Sequence, residues 1–317
     1  MGKHKSAAMP IGGNLPGRHS DGARDRSDTN GELSLETMPL LLPDCRRFAM
    51  RADETGLEYE IFIYVPDLPA PPAGFPVFYV LDANADFATV AETVRRVSRR
   101  SSATGICPAI VVGIGYPNTT SYAADRRYFD FTRGPAANAS TDVPAGGFGG
   151  QAAYVRFISR QLMPMIAARF PIHQKRRALL GHSLAGHFVL EVLAQQPSLF
   201  DGYVAFSPSI WWDQQRLVAS LGDSKITNNL RLYVASGRWE QELAPWQSQT
   251  MLSTSYHALR KQRLMVDNAR DFARKVEASF GANANVRFEI GEDEDHATIM
   301  TTLLTRALRF VATGWSD

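Results

Sequence analysis

The most constraining stretch of this chain is Leu179-Leu180-Gly181-His182-Ser183-Leu184-Ala185-Gly186-His187. Arg176 to Gly181 read as a short apolar strand, and Leu184 to Gln196 read as a helix. A strand that passes directly into a helix must turn sharply, and the residue at the turn takes a strained backbone conformation. The residues two before and two after it must be small, because strand and helix close on each other there. Gly181 meets this fully; Ala185 stands where a second glycine is usual, with Gly186 following. The hydroxyl of Ser183 is then lifted above the carboxyl edge of a sheet, beside the Leu184 amide and the helix N-terminus. That is the setting of an activated nucleophile with one oxyanion donor. A serine that only caps a helix needs none of the preceding strand.

The rest of the chain continues the alternation. Cys45–Ala52 and Leu57–Pro66 flank a turn-prone segment and predict an antiparallel pair. Strands are predicted at Phe75–Ala83, Ala109–Tyr116, Gly202–Ser209, Asn229–Gly237 and Asn285–Gly291. Helices are predicted near Asp86–Arg100, Gln151–Arg169, Ser255–Ser279 and Thr298–Ala312. Strands that are mostly apolar, alternating with helices, imply a mostly parallel twisted sheet covered on both faces: the α/β-hydrolase fold. Residues 1–35 are rich in Gly, Ser, Asp and Arg without apolar periodicity and read as a disordered tail. Residues 36–317 read as one domain, with a loop or lid insertion at 117–150.

Composition excludes several classes. A net charge of +2 lacks the basic excess of a nucleic-acid binder. No apolar run approaches the roughly 18–20 residues of a membrane helix, and the N-terminus lacks a secretory core, so no membrane association and a cytoplasmic location are expected. Cys45 and Cys107 have no metal-ligand spacing and read as buried thiols. No metal and no cofactor are expected.

The base emerges by elimination. In hydrolases of this fold the acid and histidine follow the nucleophile in chain order. Of the seven histidines, His4, His19 and His173 precede it. His182 lies within the turn, His187 one helical turn beyond, and His257 in a polar helix. His296 remains, in the loop between the last strand and the closing helix. A carboxylate just past Asn229–Gly237 is placed to orient it, and Glu240 is the first choice, with Glu242 second. Asp213, Asp293 and Asp295 are further alternatives. The second oxyanion amide is expected from Ala83 or Asn84, where the Phe75–Ala83 strand meets its helix.

Several separated motifs then converge. The chain resembles the esterase family that includes enterochelin and ferri-bacillibactin esterases, within the esterase D-like α/β-hydrolases. The matching pieces are Tyr79 to Asn84, Arg127 to Thr132, Gly181 to Gly186, Phe200 to Trp212, Gly237 to Gln241, and His296. The resemblance implies ester hydrolysis, with the serine lactones of catecholate siderophores as a candidate substrate. It also implies Ser183 as nucleophile, His296 as base, and Leu184 with the Ala83 region as oxyanion hole. Some siderophore esterases of this kind work with a Ser-His pair alone, which leaves the place of Glu240 open.

The loops near this site carry Arg126, Arg127, Trp211, Trp212, Arg238 and Trp239, expected to contact substrate. Arginine and aromatic groups together suit a flat anionic ligand such as an iron-bound catecholate. Two other functions share the same residues: an acyltransferase with an alcohol acceptor, and a binding protein without catalysis. The expected partner is a small-molecule ester.

Overall fold

The computed structural model describes residues 41–119, 121–136, 146–222, 229–247 and 254–315. The tail assigned to residues 1–35 lies outside them.

The chain enters as an antiparallel pair, β1 (Cys45–Arg51) and β2 (Glu58–Tyr64). From Arg47 onward β1 alternates exposed and partly buried positions, as an edge strand does. β3 (Phe75–Leu81) is buried at every position. α1 (Ala83–Ser98) and the single turn α2 (Ser101–Thr104) return the chain to β4 (Ile110–Gly115), which lies between β2 and β3. Within the segment read as a loop or lid, α3 (Ala124–Phe131) is helical. α4 (Gln151–Arg156) runs through a π-helical turn, Phe157–Leu162, into α5 (Met163–Arg169).

The second half is a regular alternation: β5 (Ile172–His182), α6 (Leu184–Gln195), β6 (Gly202–Phe206), α7 (Gln214–Gly222), β7 (Leu230–Gly237). It ends with α8 (Thr254–Arg263), α9 (Met265–Phe280), β8 (Ala284–Gly291) and α10 (Ile299–Val311). The sheet order is β1-β2-β4-β3-β5-β6-β7-β8, parallel from β4 to β8. This is the mostly parallel, helix-covered sheet of an α/β-hydrolase.

Side chains alternate across a strand, so one central strand feeds two cores. Tyr79, Leu179, Tyr203 and Leu232 share a core with Phe188 of α6 and Phe272 of α9. Phe78, Leu180, Val204 and Tyr233 share the other with Phe87 of α1 and Leu304 of α10. Each fully buried large apolar side chain contributes about 1.5–3 kcal/mol, and together they fix the sheet as a rigid platform.

Three expectations differ from the structure. The helix expected over Ser255–Ser279 is two helices, broken at Leu264, whose φ of 46° and ψ of 46° are left-handed. The strand expected to reach Ser209 ends at Phe206, because Ser207 turns to φ 44°. Cys45 and Cys107, expected buried, are partly exposed. Among the described residues, no helix is long and apolar enough to cross a membrane.

Candidate active site

Parallel strands end on one rim, and the site is assembled there from the segments just beyond β3, β5, β6, β7 and β8. Ser183, between β5 and α6, has φ 60° and ψ −118°. A non-glycine residue held there stores about 1–3 kcal/mol of strain, and the surroundings enforce it. Its N–H donates to Phe206 O at 2.9 Å, while its carbonyl accepts from His187 N–H at 3.0 Å and Ser209 N–H at 3.1 Å. Gly181 is obligatory: a Cβ there would lie 2.6 Å from the Ala185 carbonyl carbon. Ala185 itself is accommodated, fully buried.

His296 follows β8. Its Nδ1–H donates to Glu240 Oε2 at 2.8 Å, which leaves Nε2 as the free, basic nitrogen. The backbone of the same residue is also held, because His182 Nε2 lies 2.7 Å from the His296 carbonyl. A carbonyl only accepts, so His182 carries its proton on Nε2. Burial, and then repulsion from His296 whenever that ring is protonated, push the His182 pKa down to about 3. The imidazole of His182 is therefore a neutral brace.

Glu240 lies just past β7, its carboxylate 1% exposed. Oε1 accepts from Gly237 N–H at 2.6 Å and from Ser207 Oγ–H at 2.5 Å. A Cβ on Gly237 would stand 2.5 Å from Glu294 O, so only glycine lets the His296 loop lie this close to β7. Two of the alternative carboxylates are engaged elsewhere. Asp213 pairs with Arg216, and Asp295 accepts from the Ala297 and Thr298 amides.

Ser183 and His296 line one cavity of about 200 Å³, together with Glu240, Leu184 and Ser209. Ser183 Oγ lies 3.4 Å from Ser209 Oγ. Among the described residues that hydroxyl is its hydrogen-bond partner, and the bond to His296 is not closed. Such bonds commonly tighten only with substrate in place.

Asp82 precedes α1 in the left-handed region, at φ 50° and ψ 42°. The Ala83 and Asn84 amides thus fall in the first helical turn, where no carbonyl of the helix takes them up. The Asn84 side chain is spent on structure: it donates to Tyr116 O and Thr119 O and accepts from Tyr116 N–H. Asp82 is buried against Arg127, 2.7 Å from its Nη2.

The six residues expected to contact substrate separate. Arg127, Trp211 and Trp212 line the cavity. Arg126 does not; it donates to Glu58 O and its guanidinium lies 5.0 Å from the Tyr59 ring. Arg238 turns outward to Glu292 at 2.5 Å, and Trp239 packs edge-on to Trp246. Sequence reasoning missed Ser209 and, from α8 and α9, Leu259, Arg260, Arg263 and Met265, all of which line the cavity. Arg263 stacks 4.2 Å from the Trp211 ring centroid. Polar residues just beyond a strand's carboxyl end were the available signal for Ser209; nothing comparable marked α8.

A parallel sheet with a strained serine after its central strand and a histidine after its last defines a hydrolase. The family model described as Putative esterase matches residues 52–283, and the chain belongs to that family of α/β-hydrolases. It is a carboxylic ester hydrolase of the serine type. It is similar to the ferri-bacillibactin esterase BesA of Bacillus subtilis, 35% identical over 291 residues, 89% of this chain and 93% of that protein. The siderophore triacetylfusarinine C esterase of Aspergillus fumigatus is 32% identical over 292 residues, 87% of this chain and 96% of that protein. Among solved structures, the BES protein from Bacillus cereus superposes with a TM-score of 0.74 at 28% identity, covering 88% of this chain and 98% of that one.

Proposed function

We propose that this chain hydrolyses the ester bonds of a siderophore through an acyl-enzyme on Ser183. The observation that carries the reading is the shared cavity of Ser183 and His296, with His296 Nδ1 fixed on Glu240. Ser183 Oγ attacks the ester carbonyl while His296 Nε2 takes its proton. The Leu184 amide and that of Ala83 or Asn84 stabilise the oxyanion, and Glu240 stabilises the imidazolium. Collapse expels the alcohol, which receives the proton from His296. Water activated by the same nitrogen then attacks the acyl-enzyme, releasing the acid and restoring Ser183.

The names of the relatives support a siderophore substrate, and so does the cavity's chemistry. Arg127, Arg260 and Arg263 line it with Tyr128, Trp211 and Trp212, and Glu240, already held by His296, is the carboxylate among them. Cations beside aromatic rings suit an anionic aromatic chelate. A cavity of about 200 Å³ takes the scissile acyl portion, with the rest of a large ester across the rim. Iron would arrive with the substrate.

Comparing kcat/KM for a p-nitrophenyl ester and a ferric catecholate trilactone tests this. The trilactone is expected to be the better substrate by about 10²-fold or more, as specific contacts worth a few kcal/mol require. Ready cleavage of the simple ester with the trilactone untouched would remove the siderophore reading and leave the esterase.

A further inference from the structure

We infer that Ser207 is a positioning residue of the esterase reaction, setting the Glu240 carboxylate so that His296 presents Nε2 to the nucleophile. The inference rests on the catalytic roles proposed above for Glu240 and His296.

Ser207 follows β6 and has no exposed surface. It does not line the cavity, so it has no access to substrate. Its hydroxyl donates to Glu240 Oε1 at 2.5 Å, and the Gly237 amide reaches the same oxygen at 2.6 Å. A carboxylate turns freely about its last torsion, which is broad and roughly two-fold. Two donors on one oxygen from different directions remove that freedom and leave Oε2 for His296 Nδ1.

The backbone at Ser207 is unfavourable for a serine. Its φ of 44° is left-handed, a conformation glycine adopts without strain. Its N–H is fastened to Ala235 O on β7 at 2.6 Å. Glycine would suit this backbone better, but only a hydroxyl supplies the second donor. The anchor is also rigid relative to the nucleophile. Pro208 packs against Gly186 of α6, where a Cβ would meet its Cα at 3.2 Å, and Ser209 N–H is bonded to Ser183 O. One short loop thus touches both ends of the proposed triad: Ser207 its acid and Ser209 its serine.

The test is steady-state hydrolysis of p-nitrophenyl acetate by Ser207→Gly and Ser207→Ala, each alone and combined with Glu240→Ala. Ser207→Gly relieves the backbone while deleting the donor, so it folds even if the alanine variant does not. We expect kcat to fall about tenfold with KM within about twofold, as for loss of one hydrogen bond to a charged group that matters in the transition state. Glu240→Ala alone is expected to lose about 100-fold, and adding Ser207→Gly to it to change kcat less than about twofold, because the two act as one unit. The downfield proton resonance of His296 Nδ1–H should move in Ser207→Gly. A folded Ser207→Gly with wild-type kcat overturns the inference. So does a full further tenfold loss in the Glu240→Ala background, which would mean that Ser207 acts through something else. A wild-type rate for Glu240→Ala would discard the triad acid, and the role of Ser207 with it.

Discussion

Ser183 and His296, the proposed nucleophile and base, lie 113 positions apart in sequence, and the physical demands of those roles are what singled them out. The serine needs a strand, a turn with small neighbours, and a helix; one place in the chain supplies all three. The histidine needs a loop at the strand ends, and of those that follow Ser183 in sequence only His296 is read into one. Ser183→Ala is expected to reduce hydrolysis to background and His296→Ala to lower kcat by about 10⁴-fold or more, measured with a chromogenic ester. A His296→Ala variant within about tenfold of wild type would assign the base elsewhere. Other residues were not legible at this scale. Arg126 and Arg127 are adjacent on α3, and neighbours on a helix point about 100° apart, so only one can face the cavity. Which one depends on the rotation of α3 against the sheet, which composition does not encode. Ser207 was hidden for a related reason: its partner is 33 residues away, and its turn has no glycine to announce it.

At the level of elements, the strands and most helices could be read from apolar runs and their spacing, whereas the break between α8 and α9 could not. No glycine or proline occurs from Leu259 to Arg274, and the helical pattern passes through Leu264 uninterrupted. Only the packing of the two helices on different surfaces, one along the cavity and one on the sheet, reveals the left-handed residue. The first turn of α1 carries a further consequence. Asp86 is pushed up to about 7 by burial and then by the Asp82 charge, with Arg127 and a Tyr122 hydrogen bond opposing. Its folded pKa thus lies above the value of 3.8 for an ordinary aspartate. The folded state holds a proton that the unfolded chain releases, so stability from this group is complete below about pH 4 and is lost as pH rises through about 7. Asp86→Asn keeps the shape without the charge. Its Tm advantage over the wild type is expected to grow by about 4 °C or more between pH 4 and pH 8, levelling above pH 7, in thermal melts at matched ionic strength. A constant difference would mean that Asp86 is already ionised in the fold throughout that range.

For the whole molecule, the decisive property is that β4, β3, β5, β6, β7 and β8 run parallel and put their carboxyl ends on one rim. Residues distant in sequence meet there without any local signal, which is why the rim could be foreseen but its full lining could not. Among the described residues the sheet starts at Cys45, and the family match begins at residue 52. A chain beginning at residue 36 is therefore expected to keep its Tm within about 2 °C and its kcat/KM within about twofold; a larger loss would give residues 1–35 a part in the fold or the site. In the proposed reaction Ser183 becomes covalently acylated with His296 as its base. Fluorophosphonate labelling followed by intact-protein and peptide mass spectrometry probes that step. One adduct is expected, on Ser183, formed in step with loss of esterase activity, absent in Ser183→Ala and greatly slowed in His296→Ala. An adduct on another residue, or undiminished hydrolysis by fully labelled protein, would contradict it.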